Sequence, residues 1–323
     1  MPARSLPEGT AIADYRLLGS IGTGSMGEVY EARHEPSGRH VAIKVLREDT
    51  EEAANAGRRL LEEARAVIAI RHPGIVVVSD VGLMKGERRP YLVMELLKGV
   101  PLSVHLKKRR LPVPEAVSII EGILDALAAA HRAGVVHRDM KPSNVFIVDP
   151  DTAPKVKLLD FGVARREGRK EVLTGPAMAV GSMGFMAPEQ LMGQAVASSD
   201  LYAVGCIAFL LLAGKPVFPL KNIPDNTRSH FSEPPPKLRA VRPEIGVGLE
   251  AWVDRMLQKK PAERYSSAGA ALAALRALDT PAGSRTELVT AFVPLEASAR
   301  PTDSERGIAG ETDEEPGKTL IDS

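Results

Sequence analysis

Residues 137–144 read HRDMKPSN, which places an aspartate, a lysine and an asparagine close together after the apolar segment AGVV. The Asp139 carboxylate can hold a hydroxyl group and take its proton, and the Lys141 ammonium can neutralise charge on a transferred phosphoryl group. Asn144 and Asp160, the first residue of DFG, carry the oxygen ligands that Mg²⁺ prefers. HRD alone fits a surface charge cluster, but H-R-D-x-x-x-x-N followed by DFG predicts phosphoryl transfer.

A glycine-rich stretch lies near the N-terminus, where residues 21–30 read IGTGSMGEVY and fit G-x-G-x-x-G-x-V. Glycine lets backbone N–H groups approach phosphate oxygens because no Cβ stands in the way. A dinucleotide-binding fingerprint is the alternative, but it requires a helix directly after the loop. Here a strand-like segment and the turn EPSG at 35–38 follow, so a hairpin that covers phosphates is favoured.

Lys44 lies in VAIK, on an apolar predicted strand. Such a lysine either extends its stem to solvent or requires an anion. The following segment, 51–70, has helical periodicity, and Glu63 lies at the edge of its apolar stripe. Because an unpaired buried charge is very costly, we pair Lys44 with Glu63 and expect the lysine to bridge that carboxylate and the nucleotide.

The elements that must position these residues are mainly strands in the first part of the chain. The pattern predicts strands at 28–33, 41–46 and 91–97, in addition to the helix at 51–70. The character changes near residues 97–100, which indicates a boundary between a strand-rich part and a helix-rich part.

The second part is predicted to be mainly helical. A helix opens at Pro114 and ends at Gly134, and the two short strands 145–148 and 156–159 follow it. The apolar run 201–213 predicts a buried helix.

Composition and charge narrow the class of protein. The 323 residues are 44% hydrophobic and 26% charged, and the formal net charge of +1 implies no strong polyanion partner. The one cysteine, Cys206, cannot form an internal disulfide and favours a cytoplasmic, reducing compartment. No signal-peptide pattern is present, and the longest apolar run is too short for a membrane span, so we expect a soluble chain.

Other chemistries find no support in the sequence. It has no Cys/His metal cluster and no GxSxG nucleophile motif. The basic run at 107–110 fits a solvated helix end better than a nucleic-acid patch. From about residue 281 the chain is rich in Pro, Ser, Thr, Gly and acids, with 9 acidic and 4 basic residues, and we expect it to be mostly disordered.

With these motifs in this order, followed by APE at 187–189 and DLYAVG at 200–205, the sequence resembles the bacterial branch of the eukaryotic-like serine/threonine protein kinases. The resemblance implies an α+β, two-lobed fold with a small antiparallel β-sheet N-lobe that carries one helix and a larger, mainly helical C-lobe. It implies a kinase domain at 15–276, divided into an N-lobe at 15–97 and a C-lobe at 98–276. An N-terminal extension at 1–14 and an acidic tail at 277–323 would flank the domain.

The resemblance also implies a set of binding residues around ATP and Mg²⁺, with Mn²⁺ as a substitute. Met94 would be the gatekeeper beside the adenine, and Glu95 to Leu97 would form the hinge. The residues predicted to contact ATP are Ile21, Gly22, Gly24, Gly27, Val29, Ala42, Lys44, Met94, Glu95 and Leu97.

Three further residues have implied structural roles. Glu189 would pair with Arg264, and Asp200 would anchor residues 137–144, which we call the catalytic loop. The sequence departs from the common pattern at Ser182, where threonine is usual, and at Phe185, where tyrosine is common. Serine keeps the hydroxyl that would bond Asp139 and Lys141, so we expect activity to survive.

Regulation can be inferred less directly. Arg138 lies beside the catalytic aspartate and could pair with a phosphate on the loop 163–186, where Thr174 is the best acceptor. Threonines of the tail, including Thr312 and Thr319, are candidate docking sites for phosphothreonine-reading domains, with an inert acidic tail as the alternative. Some relatives dimerise through the N-lobe, and the same contact is a candidate here.

Two other functions are alternatives to an active protein kinase with Ser/Thr-bearing protein substrates. A pseudokinase scaffold usually lacks the lysine, the catalytic aspartate or a metal ligand, all of which are present here. A small-molecule phosphotransferase predicts a degenerate APE region, whereas MAPEQ at 186–190 is intact.

Overall fold

The computed structural model describes most of the chain up to residue 278. The described ranges are 5–24, 27–46, 67–84, 89–107, 111–149, 155–161, 183–219 and 222–278. Within them, no helix combines the length and the apolar character that a membrane crossing would require.

The N-terminal part is a six-stranded antiparallel sheet in the order β1-β2-β3-β4-β6-β5. Its strands are β1 (Ala11–Ile12), β2 (Tyr15–Thr23), β3 (Gly27–His34), β4 (His40–Leu46), β5 (Val78–Leu83) and β6 (Pro90–Glu95). The predicted turn joins β3 to β4, and Gly38 has a φ of +70°, the conformation for which glycine is favoured.

The two faces of this sheet have different surroundings because successive side chains point to opposite sides of a strand. Tyr30, Ile43 and Val93 lie in a small cluster on one face. Ala42 and Met94 belong to the large core that continues into the second part of the protein. The face that carries Ala42 and Met94 is therefore the one that faces the catalytic loop.

The second part is mainly helical, with a small antiparallel sheet of β7 (Gly99–Pro101), β8 (Val145–Val148) and β9 (Lys155–Leu158). Its helices are α1 (Leu102–His105), α2 (Val113–Arg132), α3 (Pro188–Leu191), α4 (Ala197–Ala213), α5 (Ile223–Ser232), α6 (Leu238–Val241), α7 (Val247–Met256) and α8 (Ala268–Arg276). Short 3₁₀ turns occur at Pro142–Asn144 and Pro261–Glu263. Helix α4 is buried along most of its length and forms the centre of this part.

The predicted class, an antiparallel sheet followed by a mainly helical part, is confirmed, and several boundaries shift. The strand predicted at 91–97 ends at Glu95, which is the last residue of β6 that pairs with β4, opposite Val41. Helix α4 begins at Ala197, four residues before the apolar run, because Ser199 and Asp200 are buried with hydrogen-bond partners. Of the helix predicted at 51–70, the structure describes only residues 67–70.

Candidate active site

The catalytic loop closes around Asp139 through contacts with its own residues. Lys141 Nζ lies 2.8 Å from Asp139 Oδ2, and Asn144 Nδ2 donates to the same oxygen at 2.9 Å. Asn144 Nδ2 also donates to the Asp139 carbonyl at 2.7 Å. The three residues that the motif spacing selected therefore lie together, and two donors fix the orientation of the carboxylate.

Asp200, in the first turn of α4, binds the backbone of the catalytic loop. Its carboxylate is buried and accepts the backbone N–H groups of His137 at 2.8 Å and Arg138 at 2.9 Å. His131 Nε2 at the end of α2 lies 2.8 Å from the same carboxylate. Arg138 has a φ of +63°, which costs a non-glycine residue about 1–3 kcal/mol. The buried carboxylate offsets this cost by satisfying two backbone donors.

The two expected metal ligands lie at the open end of the β8–β9 ribbon. Leu159 N donates to Asn144 O at 2.8 Å, so Asn144 and Asp160 flank the same end of the two strands. Asp160 has a φ of +49°, a second left-handed conformation within the site. Since Asn144 Nδ2 donates to Asp139, Oδ1 is the atom left to ligate a cation. A carboxylate and an amide oxygen suit a hard cation such as Mg²⁺, so the residues present fit this metal.

The Lys44 side chain extends from the N-terminal sheet to one of these two expected metal ligands, Asp160. Its Nζ lies 2.6 Å from Asp160 Oδ1, and both the lysine side chain and the aspartate are at least half-buried. The predicted partner Glu63 lies outside the described residues. The anion that the structure places against Lys44 is therefore the carboxylate of DFG.

The predicted nucleotide-binding residues share one face of the N-terminal sheet. Gly22 is opposite Val29 between β2 and β3, and Val29 is opposite Lys44 between β3 and β4. Ala42 is opposite Met94 between β4 and β6. Cross-strand partners share a face, so these five residues line one surface, with an ammonium at one end and apolar side chains at the other.

The predicted hinge begins where β6 ends. The side chain of Glu95 is occupied: Oε1 accepts Val77 N at 2.8 Å and lies 2.5 Å from Lys157 Nζ of β9. Leu97 is partly buried against the core. Adenine could therefore be recognised here through the main chain of 95–97 rather than through the glutamate side chain.

The glycines of the loop differ in how much space surrounds them. A Cβ on Gly27 would lie 2.3 Å from the Val45 carbonyl oxygen, whereas on Gly24 its nearest neighbour would be at 3.8 Å. Ile21, beside the loop, is 51% exposed. Gly27 is thus required by the neighbouring strand, while Gly22 and Gly24 have room for a methyl group in this structure.

Glu189 and Arg264 form a buried bidentate ion pair, at 2.6 Å and 2.9 Å. Ser199 Oγ donates to Glu189 at 2.7 Å, and Arg264 also donates to the carbonyl groups of Gln258, Ser198 and Lys259. Burial by itself would raise the pKa of Glu189, but the hydrogen bonds from Arg264 and Ser199 outweigh it and lower that pKa. The pair fixes the turn that follows the loop 163–186.

Some predicted residues cannot be placed because they lie outside the described residues, namely Glu63, Thr174, Ser182 and the tail threonines Thr312 and Thr319. Phe185 is partly buried against the large core.

Sequence reasoning did not identify three residues that contact the site: His131 contacts Asp200, Gln190 contacts Arg138, and Lys157 contacts Glu95. The only local signal was the position of His131 in the last turn of a predicted helix, which indicates no partner.

Comparison with known proteins places this geometry in context. The family described as protein kinase domain matches residues 15–276. The serine/threonine-protein kinase Pkn1 of Myxococcus xanthus is 39% identical over 264 residues, which cover 81% of this chain and 38% of that protein. The serine/threonine-protein kinase PknA of Mycobacterium tuberculosis is 39% identical over 271 residues, which cover 81% of this chain and 61% of that protein.

A solved structure gives the same result for the fold. The crystal structure of the Mycobacterium tuberculosis PknI kinase domain superposes with a TM-score of 0.66 at 28% identity, covering 84% of this chain and 99% of that one. The matched region thus spans only part of the curated relatives but nearly all of an isolated kinase domain.

Proposed function

The chain belongs to the protein kinase family, and from this premise we propose that it is an active serine/threonine protein kinase that transfers the γ-phosphate of ATP to hydroxyl groups of proteins. One observation carries the proposal: Lys44 of the sheet contacts Asp160 at 2.6 Å. Asp160 in turn lies at the same ribbon end as Asn144, whose amide holds Asp139. The phosphate-binding cation thus contacts one expected metal ligand, the base contacts the other, and the two ligands flank the same end of the β8–β9 ribbon.

Asp139 would hold the acceptor hydroxyl and take its proton. Lys141 and Asn144 both donate to Oδ2, so the plane of the carboxylate is fixed before a substrate arrives. Such positioning is the main contribution a protein makes to phosphoryl transfer. Lys141 would also neutralise charge on the transferred group, as its place two residues after Asp139 allows.

Asn144 and Asp160 would hold Mg²⁺, or Mn²⁺ in its place. When bound, the metal supplies positive charge against the phosphate oxygens. The residues of the chain position that charge: Asn144 through the hydrogen bond to Asp139, and Asp160 through its strained backbone at the end of β9.

The ATP base and phosphates would lie along the sheet face that carries Val29, Ala42, Lys44 and Met94. Ala42 and Met94 belong to the apolar core and can contact adenine, and Lys44 can reach its phosphates. The phosphates would be covered by the glycine-rich stretch, through Ile21, Gly22, Gly24 and Gly27. The alternative of a nucleotide-binding scaffold finds no support, since none of the four residues that such a scaffold usually lacks is missing. Lys44 contacts Asp160, and Asn144 contacts Asp139.

Finer features remain part of the proposal. The domain would extend over 15–276, Thr174 would be phosphorylated by the kinase itself, and the phosphate would pair with Arg138. Protein substrates, phosphothreonine-reading domains at the tail, an N-lobe dimer and a cytoplasmic location belong to the same hypothesis.

Phosphate transfer from labelled ATP with Mg²⁺ tests the proposed function. Asp139→Asn should lower the rate by about 10²–10⁴-fold, because the group that takes the proton is lost. Asp149→Asn is the matched control, since Asp149 is exposed and its φ of +50° suits asparagine. Equal rates for these two variants, or an inactive wild type that still binds ATP, would refute the proposal.

A further inference from the structure

Gln190 connects the end of the APE segment to the catalytic loop. It lies in the short helix α3 and is half-buried, and its Nε2 donates to the carbonyl oxygen of Arg138 at 2.5 Å. The two residues are 52 positions apart in the chain. The hydrogen bond therefore joins two segments that the sequence does not bring together.

The accepted oxygen belongs to the peptide unit that leads into Asp139. The Arg138 carbonyl and the Asp139 N–H lie in one rigid plane. Gln190 holds the oxygen of this plane, and Asp139 N donates to His137 Nδ1 at 3.3 Å on the other side. Rotation of the plane would swing the Asp139 Cα and move its carboxylate relative to a bound hydroxyl.

The ring of His137 can accept that N–H because its tautomer is fixed by its surroundings. Nε2 lies 2.8 Å from the Leu159 carbonyl oxygen, which can only accept, so Nε2 carries the proton. Nδ1 is then the acceptor for Asp139 N. The same peptide unit is thus held at both of its polar atoms.

Gln190 itself is held firmly by its neighbour in sequence. Glu189 is locked by the two hydrogen bonds from Arg264 and by Ser199. Gln190 N donates to the Ala187 carbonyl at 3.0 Å and closes the turn. A side chain on such an anchored turn can fix a backbone carbonyl more accurately than one on an unsupported loop.

We propose that Gln190 is a positioning residue for phosphoryl transfer. Its hydrogen bond to the Arg138 carbonyl fixes the peptide plane that precedes Asp139, at a residue whose left-handed backbone conformation is unfavourable, and so orients the Asp139 carboxylate. The role rests on the proposed function. It requires an amide at position 190, because an apolar side chain has no donor and an ionised glutamate would place an acceptor against an acceptor.

The first test replaces Gln190 by methionine, which has similar length and no donor. Gln190→Met should lower kcat about tenfold, with the KM for ATP unchanged, because one hydrogen bond is lost from the oriented state. The melting temperature should fall by only a few degrees, so that the variant is fully folded in the assay. Gln194→Met is the matched control, since Gln194 is exposed four residues further on. Equal kcat for the two variants, or a loss of kcat that merely follows a lower melting temperature, would overturn the role.

A second variant separates positioning from folding. In Gln190→Glu the side chain can donate only when it is protonated, so the ratio of its kcat to that of the wild type should rise as the pH is lowered. A ratio that stays constant with pH would contradict the proposal. A wild type that transfers no phosphate refutes the proposed function and this role together, whereas an active wild type with an unaffected Gln190→Met refutes this role alone.

Discussion

Lys44 Nζ and Asp160 Oδ1 lie 2.6 Å apart, and this ion pair joins the middle of β4 to a residue two positions beyond the end of β9. Lys44 is opposite Val29 and on the same sheet face as Ala42 and Met94. The Lys44 ammonium therefore lies at one end of an apolar surface. Phosphates and a metal would be held at that end. The charge of Asp160 is balanced by the lysine in the same contact.

The first prediction concerns the charge of Lys44. Lys44→Met should lower phosphate transfer about 10²–10³-fold, because a positioned charge that stabilises the transferring group is removed. Circular dichroism should show an unchanged fold. Lys155→Met, an exposed lysine at the start of β9, is the matched control and should keep the wild-type rate. A Lys44→Met protein as active as this control would exclude a role for the lysine in transfer.

The second prediction separates the glycines of the loop. Gly27→Ala should destabilise the β3–β4 pair, since its Cβ would lie 2.3 Å from the rigid Val45 carbonyl. A loss of about 1–3 kcal/mol in the free energy of unfolding is expected, the usual cost of overpacking. Gly24→Ala, whose Cβ has no neighbour closer than 3.8 Å, should unfold like the wild type.

Urea unfolding and ATP titration of both variants test this distinction. Gly24→Ala can weaken ATP binding while leaving stability intact, because its methyl group would affect only the approach of phosphates. Equal stability for the two variants would show that Gly27 is not constrained by β4.

Much of this fold could be predicted because its signals are local. The alternation in VAIKVL and the helical period after Pro114 each act within a few residues, and both elements are present with shifts of one or two residues. The motif spacing also selected Asp139, Lys141 and Asn144, which lie in one loop and contact each other.

The contacts between distant segments could not be predicted in this way. Gln190 and Arg138 are 52 residues apart, and His131 and Asp200 are 69 residues apart, with no periodic pattern connecting either pair. Only the packing of α3 and α4 against the catalytic loop brings them together. The pairing of Lys44 with Glu63, inferred from charge balance, stays a prediction because Glu63 lies outside the described residues. The same argument did not identify Asp160 as an anion that contacts Lys44.

The third prediction concerns the buried pair of Glu189 and Arg264. Arg264→Met should cost about 3–5 kcal/mol of unfolding free energy, because it leaves a buried carboxylate without its cation. Replacing both residues, as in Glu189→Gln with Arg264→Met, should cost less than the single change. A double variant that is less stable than Arg264→Met would contradict this account.

The same pair also predicts a pH dependence in acid. The pKa of Glu189 in the folded protein lies below its ordinary value of 4.5, chiefly because hydrogen bonds from Arg264 and Ser199 overcome the effect of burial. Its contribution to stability is therefore present above pH 4.5 and is lost as the pH falls through the lower folded pKa. Urea unfolding between pH 6 and pH 3 should show a steeper decline for the wild type than for Glu189→Gln.

The fourth prediction concerns His230, which is buried in α5 between Tyr202 and Phe218. Its Nδ1 lies 2.9 Å from the Tyr202 hydroxyl, and the Lys259 ammonium lies 4.7 Å from the centroid of the same Phe218 ring. Burial, assisted by the charge of Lys259, lowers the pKa of His230 from 6.5 to about 4. The imidazole therefore stays neutral in the folded protein at pH values where an exposed histidine is charged.

The sign of the resulting pH dependence follows from proton uptake. Between pH 6.5 and pH 4 the unfolded chain binds a proton at His230 and the folded protein does not, so acidification favours unfolding. Full stability is present above pH 6.5, and about 3 kcal/mol is lost by pH 4 from this residue. His230→Gln should be less stable than the wild type at pH 7.5, since the fit against Tyr202 is lost, yet its stability should fall less between pH 6.5 and pH 4.

Urea unfolding at half-unit steps of pH measures this difference. Parallel pH profiles for the wild type and His230→Gln would mean that His230 takes up its proton equally in both states. The burial of an uncharged imidazole beside Lys259 would then have no effect on the acid stability of the helical part.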